Sequence, residues 1–196
     1  AGSMVRRQEG PGGGRQQERI MTDTADTGAP RPTGPGTTGP VATGPDDLPD
    51  RARLLSMSGL EFMEAMRDGR IPGSPIAALM GFGLHLVERG RVAFRGRPAF
   101  AHTNPTGTVH GGWYGTLLDS ALGCAAMTTV ARGFWYTTLE YKVNLVRALP
   151  VGTEIEALAV VDHAGRSTVV ASATIRGIAD GRLYATGSTT CIVMPG

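Results

Sequence analysis

The sequence predicts an α+β fold, an antiparallel sheet wrapped around one long central helix and preceded by short helices. Three observations carry this. A single long, weakly polar segment spans residues 109–131 amid strand-like sequence. After it come four runs, "FWYTTLEYKVNLVRAL", "TEIEALAVVDHAG", "STVVASATIRGIADG" and "LYATGSTTCIVM", parted by the turn formers "PVG", "HAGR" and "ADGR". Before it, "FGLHLVERGRVAFRGRPAFAH" holds two further β-rich runs. Connections this short imply antiparallel neighbours, and one apolar helix gives the sheet something to bury.

Each element has a local reason. Residues 1–52 are rich in Gly, Pro, Thr and charge with little to bury, so they are expected as a disordered tail; Ala1-Gly2-Ser3 ahead of Met4 reads as a tag remnant. A single domain is expected over 53–196. Ser58 followed by Glu61 fits a capping box, and Leu60, Met63 and Met66 recur at helical spacing until Gly69. Ser74 as N-cap with Pro75 behind it opens another short helix, closed by Gly81. The next two runs form a hairpin around Glu88-Arg89-Gly90-Arg91, with Val92, Phe94 and Phe100 on one buried face. In the first strand after the helix, Leu139, Tyr141, Val143 and Leu145 alternate with Glu140, Lys142 and Asn144, the pattern of a half-buried strand. One helix cannot cover six strands on both faces, so self-association into at least a dimer is expected.

Composition narrows the function classes. The 196 residues carry a formal charge of +2, with basic residues scattered as Arg rather than clustered, so neither a nucleic-acid face nor a membrane-surface patch is signalled. Cys124 and Cys191 lack C-x-x-C or Cys/His ligand spacing, which argues against a disulfide framework or zinc site and for a reducing cytoplasm. No secretory signal is evident, and the run from Val109 to Ala131 is broken by Asp119, several Thr and four Gly, as in a buried helix of a soluble protein rather than a membrane span.

Asp119 is the residue that asks for an explanation. On a helix starting near Gly111, Tyr114, Leu117, Leu118, Ala121, Leu122 and Ala125 form the apolar face. An adjacent stripe of Gly112, Gly115, Thr116, Asp119, Gly123 and Ala126 holds one charge with no basic residue near it in sequence. Repeated glycines each cost about 1 kcal/mol in a helix interior, so the stripe implies close approach of another backbone or a slender ligand. Asp119 is either a structural ion pair or loop cap, or a carboxylate whose poor solvation strengthens it as a base or nucleophile. At the entrance, Gly111 and Gly112 leave helix-terminal N–H groups open to a substrate carbonyl, with His110 and Asn104 as nearby donors.

The pattern Asn-Pro-x-Gly-x-x-His-Gly-Gly, followed by a helical Leu-Leu-Asp, closely resembles the PaaI-like branch of the hotdog-fold acyl-CoA thioesterases. "SPIAALMGFGL" and "FWYTTLEYKVNLVRALPVGTE" also resemble that family's entry segment and post-helix strand, and the likeness spans roughly 72–194. The resemblance implies a homodimer or a homotetramer built as a dimer of dimers, with active sites across the dimer interface. It implies that Asn104 and the Gly111 N–H bind the thioester carbonyl, that Asp119 from the other subunit drives hydrolysis, and that His110 supports the Asn or its loop. It further implies a hydroxyl holding the lytic water, matched by Thr138 with Thr137 as the alternative.

That chemistry needs no cofactor, since a thioester is electrophilic and CoA thiolate leaves readily. The expected substrate is a medium-chain or aryl acyl-CoA, with Gly112 and Trp113 in its binding site and core packing as the other role for the indole. His85 and His163 are expected to be structural or solvated, and His102 to stand behind Asn104. The competing reading is a non-catalytic hotdog module that binds acyl-CoA as a sensor or assembly component. Retention of Asp119 with Asn104 and His110-Gly111 favours the enzyme.

Overall fold

The computed structural model describes residues 39–196. Short helices α1 (Arg51–Leu55), α2 (Gly59–Arg67) and α3 (Pro75–Leu79) lead into β1 (Phe82–Glu88) and β2 (Arg91–Gly96). The central helix α4 (Gly111–Met127) follows, then β3 (Phe134–Leu145), β4 (Ile155–Ala164), β5 (Thr168–Gly177) and β6 (Leu183–Pro195). The strands form one antiparallel sheet in the order β1-β2-β4-β5-β6-β3. This is the sheet-around-helix arrangement that the sequence implies.

The local signals act as expected. Ser58 and Glu61 form a reciprocal capping box at α2, which satisfies two amides that the helix start would otherwise strand. Ser74 stands at the N-cap of α3 without a side-chain cap bond, so Pro75 at the first turn carries that start. Gly90 turns the β1–β2 hairpin at φ 74°, a conformation that L side chains avoid. Along α4, Leu117, Leu118, Ala121, Leu122 and Ala125 are fully buried against the sheet. Each such Leu contributes roughly 1.5–3 kcal/mol of burial. The facing positions Ala157, Ala159, Ala171 and Ala173 are small, which lets the helix lie close on β4 and β5.

Three expectations are corrected. The tail was expected to run to residue 52; its first 38 residues lie outside the described ones, but from Gly39 the chain is built into the fold. Val41 pairs in parallel with Gly73, and Val41 and Ala42 are buried, so two small apolar side chains suffice to seat this stretch. Phe100 does not share the buried face of Val92 and Phe94, because the chain leaves β2 at Gly96 and Phe100 lies in a separate 3-10 turn exposed to solvent. The alternation in β3 is real, but Leu139 and Leu145 are 58% and 56% exposed. β3 is an edge strand paired only with β6, and a bulge between Thr138 and Glu140 interrupts its register.

Candidate active site

Asp119 sits midway along α4, and its setting explains the glycine stripe. One turn away on either side are Gly115 and Gly123. A Cβ on Gly123 would lie 2.9 Å from the Tyr136 Oη, and one on Gly115 would lie 3.4 Å from the Tyr141 Oη. The close approach anticipated from the sequence is therefore made by two tyrosine rings of β3, and the carboxylate lies between them. Thr138, which follows Tyr136 on the same strand face, donates its hydroxyl to Asp119 Oδ1 at 3.3 Å.

No cation pairs with Asp119 among the described residues, so the ion-pair reading fails there. Burial pushes its carboxyl above the usual range, and the Thr138 hydrogen bond opposes this in part. The same apolar surroundings, with the Asp119 charge added, push the Cys124 thiol up to about 12, which makes it a poor nucleophile. The Tyr136 hydroxyl is also held well above its ordinary value, chiefly by burial, and stays a neutral donor.

Ionised Asp119 is thus a cost to the fold, and the sign is testable. Below the ordinary Asp value of about 3.9 the side chain is protonated folded or unfolded and costs nothing. As pH rises from there through the raised folded value, the unfolded state gives up its proton first and stability falls, levelling off above. Asp119→Asn should therefore melt higher than wild type at neutral pH, with the gain vanishing towards pH 3, as thermal melts across pH would show.

Asp119 and Thr138 line a cavity of about 180 Å³ together with Tyr136 and Phe94. Asn104 and Gly111 line a different cavity of about 350 Å³ with Tyr114 and Arg147. Eight residues of helix separate Gly111 from Asp119, a rise of about 12 Å. A single chain does not bring its carbonyl-binding candidates to its own carboxylate.

The entrance is nonetheless ordered for donation. Asn104 accepts from the Thr106 N–H at 2.9 Å and donates its amide to Thr108 Oγ1 at 2.7 Å, which closes the loop on itself. His110 caps α4, its Nδ1 accepting from the Gly112 N–H at 2.9 Å, while its own N–H donates to the His102 carbonyl. His110 therefore supports the loop and not the Asn104 side chain. Trp113 N–H goes to the His110 carbonyl, which leaves the Gly111 N–H as the helix-start amide with no acceptor among the described residues. His102 sits beneath, with Nδ1 accepting from Ala99 N–H and Nε2 against the Leu79 carbonyl.

Three sequence candidates are not placed at either cavity. Trp113 is 2% exposed, its indole N–H donates to the Met80 carbonyl at 2.8 Å, and it packs edge-on to Phe82 and Tyr114. It is a core residue. Gly112 lends its amide to His110 rather than to a ligand. Thr137 points to the opposite face of β3 from Thr138 and is exposed, as strand alternation requires. In return, Tyr136, which the sequence offers only as one of several aromatics at the helix ends, and the Gly39-Pro40 stretch, which it does not mark, line the Asp119 cavity. Parity with Thr138 would have found Tyr136; nothing local marks Gly39.

Comparison with known proteins places this geometry. The family model described as the thioesterase superfamily matches residues 106–184, which contain Gly111, Asp119 and Thr138. The match takes in the central helix and most of the sheet that follows it. The chain is similar to mouse acyl-coenzyme A thioesterase 13, with 33% identity over 89 residues; the match covers 45% of this chain and 63% of the mouse protein. A solved structure from Ralstonia eutropha, of a phenylacetic acid degradation-related protein and candidate thioesterase, is 25% identical with a TM-score of 0.62. It covers 67% of this chain and 98% of its own. The smu.793 protein of Streptococcus mutans, solved with acetyl CoA bound, is 25% identical with a TM-score of 0.54 over 58% of this chain and 89% of that one. The chain shares the hotdog architecture of these solved structures. Among its described residues no helix is long and apolar enough to cross a membrane.

Proposed function

We propose that the protein is an acyl-CoA thioesterase, cleaving a medium-chain or aryl acyl-CoA to the free acid and CoA. The observation that carries this reading is Asp119, a carboxylate without a cation, poorly solvated and hydrogen-bonded to Thr138 beside an apolar cavity. A group held so is a stronger base or nucleophile than in water. The acetyl CoA bound by the streptococcal neighbour supports CoA as the carrier. The two free cysteines fit a cytoplasmic setting.

The site is composite. Because Asn104 and Gly111 face a cavity apart from their own Asp119, a second copy supplies the missing half. The exposed Leu139, Tyr141 and Leu145 on edge strand β3, with Val146 just past its end, provide the apolar surface for that pairing, in a homodimer or a dimer of dimers. The thioester carbonyl then accepts from the Gly111 N–H of one subunit, with Asn104 beside it, and faces Asp119 of the other.

In the water route, Asp119 takes a proton from water held by Thr138, the water oxygen bonds to the carbonyl carbon, and the C–S bond breaks to release CoA thiolate. In the direct route, the carboxylate itself displaces the thiolate and water then opens the mixed anhydride. Both start from ionised Asp119 and need no cofactor. The developing oxyanion is stabilised by an amide that the helix start leaves open.

Mixing Asp119→Ala subunits with Asn104→Ala subunits tests the composite site. Neither variant alone retains more than about a hundredth of wild-type thiol release. Random mixed dimers hold one intact site each, so the mixture should recover about a quarter of the wild-type rate. No recovery from stably mixed dimers would show that both groups act within one chain. Tight acyl-CoA binding without turnover in wild type would favour the binding-module reading.

A further inference from the structure

We infer that the strap Gly39–Ala42 is a wall of the acyl cavity and limits the length of acyl group that Asp119 can process. The inference rests on the acyl-CoA reading above and adds a specificity determinant from outside the region matched by the family model, residues 106–184. Gly39 and Pro40 line the same cavity as Asp119 and Thr138.

The strap is held by backbone. Gly73 N–H donates to the Pro40 carbonyl at 2.8 Å, and Ala42 N–H donates to the Gly73 carbonyl at 3.1 Å. Val41 and Ala42 bury their side chains at 4% exposure each, so undoing the strap exposes apolar surface. Its seat depends on two glycines. A Cβ on Gly39 would lie 2.5 Å from the Gly69 Cα, and Gly69 itself holds φ 74°, so the two backbones meet with no space for a side chain.

With this wall in place the cavity measures about 180 Å³. An engineered protein cavity of about 150 Å³ accommodates one benzene ring, so the space suits a single ring or a chain of about six carbons. Longer chains would have to displace the strap. Ala77, also on the lining, is the small residue through which the same space can be reduced from α3.

The test uses full-length wild type, Gly39→Leu and Ala77→Leu. Non-hydrolysable acyl-CoA thioethers from C4 to C12 are titrated by calorimetry, and thiol release from the matching thioesters is followed in parallel. In wild type, affinity should climb about fourfold per methylene to about C6–C8 and then stop climbing. Gly39→Leu, whose side chain is driven at the Gly69 backbone and lifts the strap, should move that break at least two carbons longer and raise the C12-to-C6 affinity ratio about tenfold. Ala77→Leu should move the break shorter.

Affinity rising steadily to C12 in wild type, or a break unmoved in a folded Gly39→Leu, overturns the inference. Should Gly39→Leu lose its fold, Pro40→Ala, which trims the wall from within the strap, should move the break longer in its place, and an unmoved break there overturns the inference. A break in binding without thiol release from any thioester would leave the wall standing and sink the hydrolase reading; thiol release with no break would do the reverse.

Discussion

Asp119→Ala should lower kcat for acyl-CoA hydrolysis at least about a hundredfold while changing KM little, because it removes the group that generates the nucleophile and few ground-state contacts. The wild-type pH profile should show an acidic limb placed above the ordinary carboxylate range, since burial raises the Asp119 pKa and only the ionised form acts. That limb should be absent from the residual rate of the variant. Circular dichroism and melting must show the fold intact, which the pH argument predicts, as removing a desolvated charge relieves the fold. Equal kcat in both proteins would exclude Asp119 from the chemistry.

Trp113→Ala should be the most damaging single change to stability among the sequence candidates. It empties a fully enclosed site beside Phe82 and Tyr114 and strands the Met80 carbonyl that the indole N–H serves. Large-to-small aromatic changes in cores cost about 3–5 kcal/mol. For a chain of this size that corresponds to a drop of roughly 10 °C in Tm. The acyl-chain preference of the molecules that remain folded should follow wild type. A stable variant with altered preference would return Trp113 to the binding site.

These two residues show what the sequence could and could not convey. Asp119 stood out because a lone carboxylate on an apolar helix is a local anomaly, visible without any neighbour in space. The capping box at Ser58, the Pro75 helix start and the hairpin at Gly90 were legible for the same reason, each being settled within four residues. Trp113 was not, since whether an aromatic at a helix start faces a core or a cavity depends on β1 and the end of α3, some thirty residues away. The stripe of glycines announced a close approach but not its source, because Tyr136 and Tyr141 reach it from a strand whose phase changes between them. Gly39 and Pro40 carried no signal at all. Their place follows from the parallel pairing of the neighbouring Val41 with Gly73, across a gap that composition marks as linker.

The bulge in β3 has a consequence for how this gene can vary. Before it, even-numbered positions meet the helix, through Tyr136 and Thr138; beyond it, odd-numbered positions do, through Tyr141 and Val143. The extra residue acts as a shift of reading phase, letting one strand hold the Asp119 hydroxyl partner with one parity and shield the helix entrance with the other. An in-frame deletion of the Leu139 codon would erase that shift. Either Thr138 would turn away from Asp119 or Tyr141 would leave Gly115. Length changes that a surface loop absorbs freely are therefore closed to this strand, even though Leu139 itself is exposed on the single chain.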